Sequence, residues 1–195
     1  MPTEDLEDVY EAIREDPFWD HLRTTGIVLV PGEGARRPKV LICGEAPGAT
    51  ENTARRPFVG ASGRVLRSLI ADCSGLDVAD DGDAFVTNVV KYRPQGNRTP
   101  TVGETLRAAP YLRREWKALG CPRVLVAVGG TALGTLAPHI PSVTRSAGQP
   151  WPLKGERYIW PMLHPAYGLR NPDVRPKMER DWEALGEWMR GGDYR

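Results

Sequence analysis

Four short segments of this chain set a chemically versatile side chain beside glycine or proline. In Gly44-Glu45-Ala46-Pro47-Gly48, a carboxylate able to activate water sits in a turn where Gly44 lets a ligand approach the backbone. Arg56-Pro57-Phe58-Val59-Gly60-Ala61-Ser62-Gly63 presents an aromatic ring, suited to stacking on a flat heterocycle, just before a helix with Ser62 near its start. In Thr87-Asn88-Val89-Val90-Lys91-Tyr92-Arg93-Pro94 an apolar run ends in an amide, which can donate to O4 and accept from N3–H of a pyrimidine, or suit cytosine when turned over. The fourth, Leu163-His164-Pro165-Ala166-Tyr167-Gly168-Leu169-Arg170-Asn171-Pro172, places an imidazole at a Pro-bounded strand end. It is followed by a Leu169-Arg170 loop able to enter space left by a displaced base. Singly, each has a plainer reading: a solvated turn carboxylate, a core phenylalanine, an Asx turn and a structural histidine. Their coincidence at strand ends carries the argument.

The elements that must position these groups are readable from periodicity. Leu6, Val9, Tyr10 and Ile13 predict an amphipathic helix within Thr3 to Asp16, capped by Thr3. A short strand is expected at Ile27 to Val30 and a turn at Pro31 to Gly34. Val40 to Cys43, Ala84 to Thr87, Arg123 to Val128 and Tyr158 to Trp160 are apolar runs of the kind that form strands covered on both faces. Helical patterns separate or follow them at Gly63 to Asp72, Thr101 to Leu119, Thr131 to Leu136 and Arg175 to Met189, the last with Trp182, Leu185 and Trp188 on one face. The alternation predicts an α/β fold, a three-layer α/β/α sandwich around a mainly parallel four-stranded sheet, with ligands bound at the carboxyl ends of its strands.

Length and composition bound the rest. The chain has 195 residues, 41% of them hydrophobic, which suits one core and one domain spanning residues 1–195. A formal charge of +1 excludes a uniformly basic surface, so nucleic-acid contact requires local clusters. Arg55-Arg56, Lys91 with Arg93 and Arg98, and Arg170 with Arg175 and Lys177 are such clusters, each also readable as solvated loop charge. Cys43, Cys73 and Cys121 are odd in number and far apart, suggesting neither a disulfide framework nor a zinc site. No run approaches the roughly 18 apolar residues of a membrane span. The opening MPTEDLEDVYEAIRED is acidic where a signal peptide is basic, so a cytoplasmic location is expected.

In order and approximate spacing, GEAPG, RPFVGASG, TNVVKYRPQGNRTP, VAVGGTAL and LHPAYGLRNP resemble the motifs of the iron–sulfur, or family 4, branch of the uracil-DNA glycosylase superfamily, over about Ile27 to Pro172. The resemblance implies that Glu45 positions or deprotonates a water and that Phe58 stacks on a flipped base. It further implies that Gly44 and Asn88 complete the base site and that His164 hydrogen-bonds the pyrimidine O2. Ser62, Lys91, Arg93, Arg98, Leu169 and Arg170 are then the candidate DNA contacts. One departure is large. The family holds a four-iron, four-sulfur cluster on four cysteines, yet here the KCRP position is Tyr92, the helix position falls near Ala108, and no CxxC precedes Gly44. No metal cluster and no other cofactor are therefore expected.

Breaking a nucleoside bond yields an oxocarbenium-like sugar and an anionic base, so a site needs a donor to the base oxygen and a water opposite it. His164 and Glu45 fit those roles, and Lys91 suits a phosphate contact better than a Schiff base. The expected activity is a monofunctional, monomeric DNA glycosylase releasing uracil or a modified pyrimidine. Two alternatives stand beside it: a glycosylase for a bulky, for example glucosylated, phage pyrimidine in antiviral defence, and a catalytically idle DNA-binding relative. The absence of GxGxxG or a P-loop leaves a nucleotide-binding enzyme without support.

Overall fold

The computed structural model describes residues 4–192. Helix α1 (Leu6–Glu15) begins at a capping box in which Asp5 and Asp8 bond each other's backbone N–H, and it buries Val9, Tyr10 and Ile13. The cap is therefore Asp5; Thr3, the expected cap, lies outside the described residues. The short α2 (Asp20–Arg23) follows a 3-10 turn that buries Trp19.

The expected strand at Ile27 to Val30 does not form. Leu29 makes an isolated antiparallel bridge with Tyr92, and Val30 N–H donates to Lys91 O, so the segment ties down a loop without joining the sheet. The strand comes one step later, in the segment expected to be only a turn: β1 (Glu33–Gly34) pairs antiparallel with Val86 and Phe85.

The central strands are β2 (Val40–Gly44), β3 (Ala84–Asn88) and β4 (Val124–Val128), buried throughout, and β6 (Arg157–Met162). They pair in parallel, as continuous apolar runs covered on both faces should. The sheet nevertheless has six strands, in the order β1-β3-β2-β4-β6-β5, because β1 and β5 (Trp151–Leu153) add antiparallel edges to the expected four. Both are too short for a period-2 pattern, and β5 carries Pro152, which an edge strand tolerates where a central one does not.

Helices cover both faces. One side carries α1, α5 (Val102–Ala118) and α6 (Gly130–Leu136) on Leu41, Phe85 and Leu125; the other carries α4 (Ala61–Ser68) and α9 (Arg175–Gly191) on Val40, Ile42 and Val126. Three shorter helices, α3 (Ala49–Ala54), α7 (Val143–Ser146) and α8 (Pro165–Arg170), decorate the loops. Helix α4 continues as a π-helical segment over Leu69–Ser74, on which α9 packs closely: a Cβ at Gly186 would lie 2.2 Å from Ser74 O. No helix among the described residues is long and apolar enough to cross a membrane.

The parallel strands all leave the sheet on one edge. There β2 runs into Glu45, β3 ends at Asn88, β4 runs into Gly129-Gly130-Thr131, and β6 runs into His164.

Candidate active site

Three of those strand ends, at Glu45, Asn88 and His164, border a cleft of about 270 Å³ whose lining also includes Phe58, Ser62 and Arg98. Five separate stretches of sequence thus meet at the carboxyl edge of a parallel sheet, where open α/β folds bind ligands.

Gly44 determines how the floor is packed. An added Cβ would lie 2.6 Å from Phe58 Cζ and 2.7 Å from Asn88 Oδ1, so only glycine lets ring and amide converge over the end of β2. Asn88 is 3% exposed, and its Oδ1 has no hydrogen-bond partner. A buried, unsatisfied acceptor costs about 1–3 kcal/mol, and a ligand N–H would remove that cost.

Phe58 is held in a conformation that a phenylalanine seldom adopts, with φ of 55°. Three groups enforce it. Arg67 donates to Phe58 O at 2.9 Å and Pro57 O at 2.8 Å, its guanidinium also pairing with Glu33. Glu51 accepts from Val59 N–H and Gly60 N–H with one carboxylate oxygen and from Gly48 N–H with the other, clamping the Phe58 loop to the Glu45 turn. Gly63, where a Cβ would lie 2.2 Å from Phe58 C, lets α4 approach that backbone.

The catalytic candidates face each other across β4. Thr131 Oγ1 donates to Glu45 Oε2, leaving Oε1 for another donor. His164 caps α8, its Nδ1 accepting from Ala166 N–H at 3.2 Å, which places the neutral ring's proton on Nε2. Burial lowers its pKa below the ordinary imidazole value, against the opposing pull of Glu45 and with a smaller push from Arg170. An uncharged imidazole with its N–H on the distal nitrogen can donate to an oxygen on which negative charge grows.

The remaining expected contacts divide. Ser62 and Arg98 line the cleft, and Arg93 donates to Asn97 Oδ1 at 2.6 Å on the adjoining loop. Arg98 grips Glu104 with two bonds of 2.7 and 2.8 Å; that grip, against burial and with help from Thr101, brings the Glu104 carboxyl down to about 2. Leu169, 51% exposed, and Arg170 project from α8 and not from a loop as expected, since Pro165 at the first helical position presets the turn. Arg56, Arg175 and Lys177 pair with Glu33, Glu179 and Asp181.

Lys91 is a correction. Its ammonium is 3% exposed, pairs with the fully buried Glu115 at 2.7 Å and donates to Thr87 Oγ1 and Asn88 O at 2.6 Å, so it cannot reach a phosphate. Tyr10 OH donates to the same Glu115 and accepts from Gly32 N–H, completing a buried network behind Asn88. The sequence pattern missed Glu51 and Thr131. Glu51 had a signal, standing three residues after Gly48 in the position of a capping-box acid; Thr131 lies within the VAVGGTAL motif, whose residues were assigned no role.

The positions at which the resemblance implies cluster cysteines carry other side chains in this sequence. Tyr92 and Ala108 are both buried in apolar packing, the Tyr92 ring 5.5 Å from that of Trp19, and no group of three or more His, Cys, Asp or Glu among the described residues could hold a metal ion. Cys43, sealed in β2, has its thiol pushed up to about 12 by burial. The loop after Tyr92 is tied instead by the Leu29 bridge, the Trp19 contact and the Arg98–Glu104 pair.

Comparison with known proteins gives the family. Residues 31–186 match the model of the uracil DNA glycosylase superfamily. A type-4 uracil-DNA glycosylase of Sulfurisphaera tokodaii is 35% identical over 165 residues, covering 81% of this chain and 73% of that protein. One from Pyrobaculum aerophilum is 39% identical over 162 residues, 78% and 79% of the two chains. Another from Archaeoglobus fulgidus is 32% identical over 191 residues, 94% and 93%. The family match takes in every residue that lines the cleft, from Glu45 to Ala166, and the chain belongs to the uracil DNA glycosylase superfamily, the enzymes that hydrolyse N-glycosidic bonds in DNA.

Proposed function

We propose that this chain flips a pyrimidine, uracil first among them, out of DNA into the cleft between Phe58, Asn88, Glu45 and His164 and hydrolyses its glycosidic bond without a covalent intermediate. The observation that carries the reading is the unpartnered Asn88 Oδ1, sealed beside the Phe58 ring over Gly44. An acceptor there suits the N3–H of uracil, with the Asn88 amide nitrogen toward O4 and the ring face stacked on Phe58. The names of the relatives support uracil as the base.

In this reading His164 Nε2–H donates to O2 as the departing base gains negative charge. Because the imidazole is held neutral, it stabilises the anion by hydrogen bonding and contributes no full positive charge. Glu45, one oxygen occupied by Thr131, accepts a proton from the water at its other oxygen while its charge favours the cationic sugar. The Lys91 amine is buried in an ion pair outside the cleft, which supports hydrolysis over a Schiff-base route.

A second reading, a pyrimidine with a bulky substituent, is favoured by the polar side of the cleft, where Ser62, Asn97 and Arg98 offer hydrogen bonds beyond the ring site. Base release from matched oligonucleotides carrying uracil, hydroxymethyluracil, hydroxymethylcytosine or its glucosylated form separates the two. Uracil release that collapses in Glu45→Ala and His164→Ala, leaving an abasic strand that breaks only on alkali treatment, is the expected result. Release of the bulky bases alone would establish the second reading. No release from any substrate would leave a DNA-binding relative.

A further inference from the structure

A second cleft is larger than the base site. It has a volume of about 730 Å³, lies between α5, α6 and β5, and shares no lining residue with the cleft at the strand ends. Its floor is apolar, reaching Leu41 and Leu125 of the central strands, with Leu136 and Leu153 beside them. On its α5 wall Leu106 is 69% exposed, and one turn earlier Val102 is 74% exposed. Large aliphatic residues left in water at adjacent turns of one helix mark a surface that gains from being covered.

The rim has one sign of charge. Arg113, Arg114, Lys117 and Arg157 line the cleft and no Asp or Glu does, in a chain whose formal charge is only +1. Arg114 is neutralised by Glu4, and Arg157 lies over the Trp116 ring at 5.1 Å. Arg113 and Lys117, one turn apart on α5, make no ion pair among the described residues. A duplex would use the cations and waste the apolar floor. An occupant that uses both needs large apolar side chains for the floor and carboxylates for the rim.

We infer that this groove docks an acidic peptide segment of a protein partner, one with two or more large apolar anchors spaced among Asp or Glu residues, and so tethers the glycosylase without obstructing its base cleft. The apolar anchors fill the space over Leu41, Leu125 and Leu153, while the carboxylates meet Arg113 and Lys117.

The test is selection of a displayed random-peptide library on the full chain, followed by binding of the enriched peptides to wild type and to Arg113→Glu/Lys117→Glu and Leu106→Asp. These substitutions are exposed, and an unchanged thermal melt and unchanged base release confirm an intact fold. Enriched peptides should carry net negative charge with at least two aliphatic or aromatic anchors. Each surface variant should lower their affinity by about tenfold or more, and rising salt should weaken them. Several results would overturn the inference. They are enrichment of neutral or basic peptides or of none, undiminished binding to both variants, or concentration-dependent self-association abolished by Leu106→Asp, which would give the groove to a second copy of this chain. Lowered DNA affinity in the double variant would equally overturn it in favour of nucleic acid.

Discussion

Thr131 Oγ1 donates a hydrogen bond of 2.5 Å to Glu45 Oε2, joining the first turn after β4 to the turn after β2 and leaving the other carboxylate oxygen for a further donor. The same turn reaches His164. Gly129, with φ of 94°, comes so close that its Cβ would lie 3.2 Å from that of His164. One short segment thus sets both catalytic candidates, and Thr131→Val, which keeps the shape and removes the donor, should reveal it. We expect kcat to fall about tenfold, the worth of one hydrogen bond to a charged group, with KM little changed. Thr131→Ser should restore most of the rate. An equal loss in the serine variant would show that only packing matters.

Gly44→Ala tests the floor. The backbone at Gly44 is not left-handed, so the substitution carries no conformational penalty and acts through its methyl alone, 2.6 Å from Phe58 Cζ and 2.7 Å from Asn88 Oδ1. Base release should drop by at least about a hundredfold while thermal stability changes modestly, because the ring and amide must move apart. Single-turnover rates compared with melting curves separate the two effects.

The lowered pKa of His164 has a defined sign. Burial favours the neutral ring, so below the ordinary imidazole value the unfolded chain binds a proton that the folded one refuses, and stability falls as pH drops through that range. Activity that depends on the neutral form persists to lower pH than an unperturbed histidine would allow. A kcat/KM profile should therefore stay flat through about pH 6.5 and decline below it. Arg170→Ala, which removes one of the lowering influences, should move that decline upward.

Lys91 is predicted to matter for folding. Lys91→Met strands the Glu115 charge where no solvent reaches it, at a cost of about 3–5 kcal/mol and a fall in melting temperature on the order of 10 °C. Lys91→Met combined with Glu115→Gln should recover much of that loss. The salt dependence of DNA binding should be unchanged in either variant, since this ammonium touches no phosphate. A shallower salt slope would return Lys91 to the DNA surface.

This last point shows what the sequence could and could not convey. The four parallel strands were legible because burial on both faces writes continuous apolar runs, and residues following such runs necessarily share an edge; Glu45, Asn88 and His164 were found that way. The edge strands β1 and β5 are two and three residues long, below the length at which alternation can be seen. Lys91 was misread because a lysine in a Gly/Pro-rich segment looks solvated, and its partner, Glu115, lies 24 residues away on another element. Long-range polar pairing of this kind leaves no periodic trace.

Glu51 is the remaining residue whose removal the structure makes readable. Its two oxygens accept from Gly48, Val59 and Gly60, so Glu51→Ala leaves three N–H groups without a partner at the seam between the Glu45 turn and the Phe58 loop. Phe58, already at a positive φ, then loses much of what holds it there. The base should bind less well, so KM should rise by about tenfold or more while kcat falls less, because Glu45 keeps Thr131 and His164 keeps Ala166. Glu51→Gln should be intermediate: its amide oxygen can still accept from Val59 and Gly60, but the amide nitrogen facing Gly48 N–H cannot. Steady-state kinetics on a uracil oligonucleotide for both variants checks this order. A kcat loss equal to that of Glu45→Ala would instead place the Glu51 carboxylate in the chemistry itself.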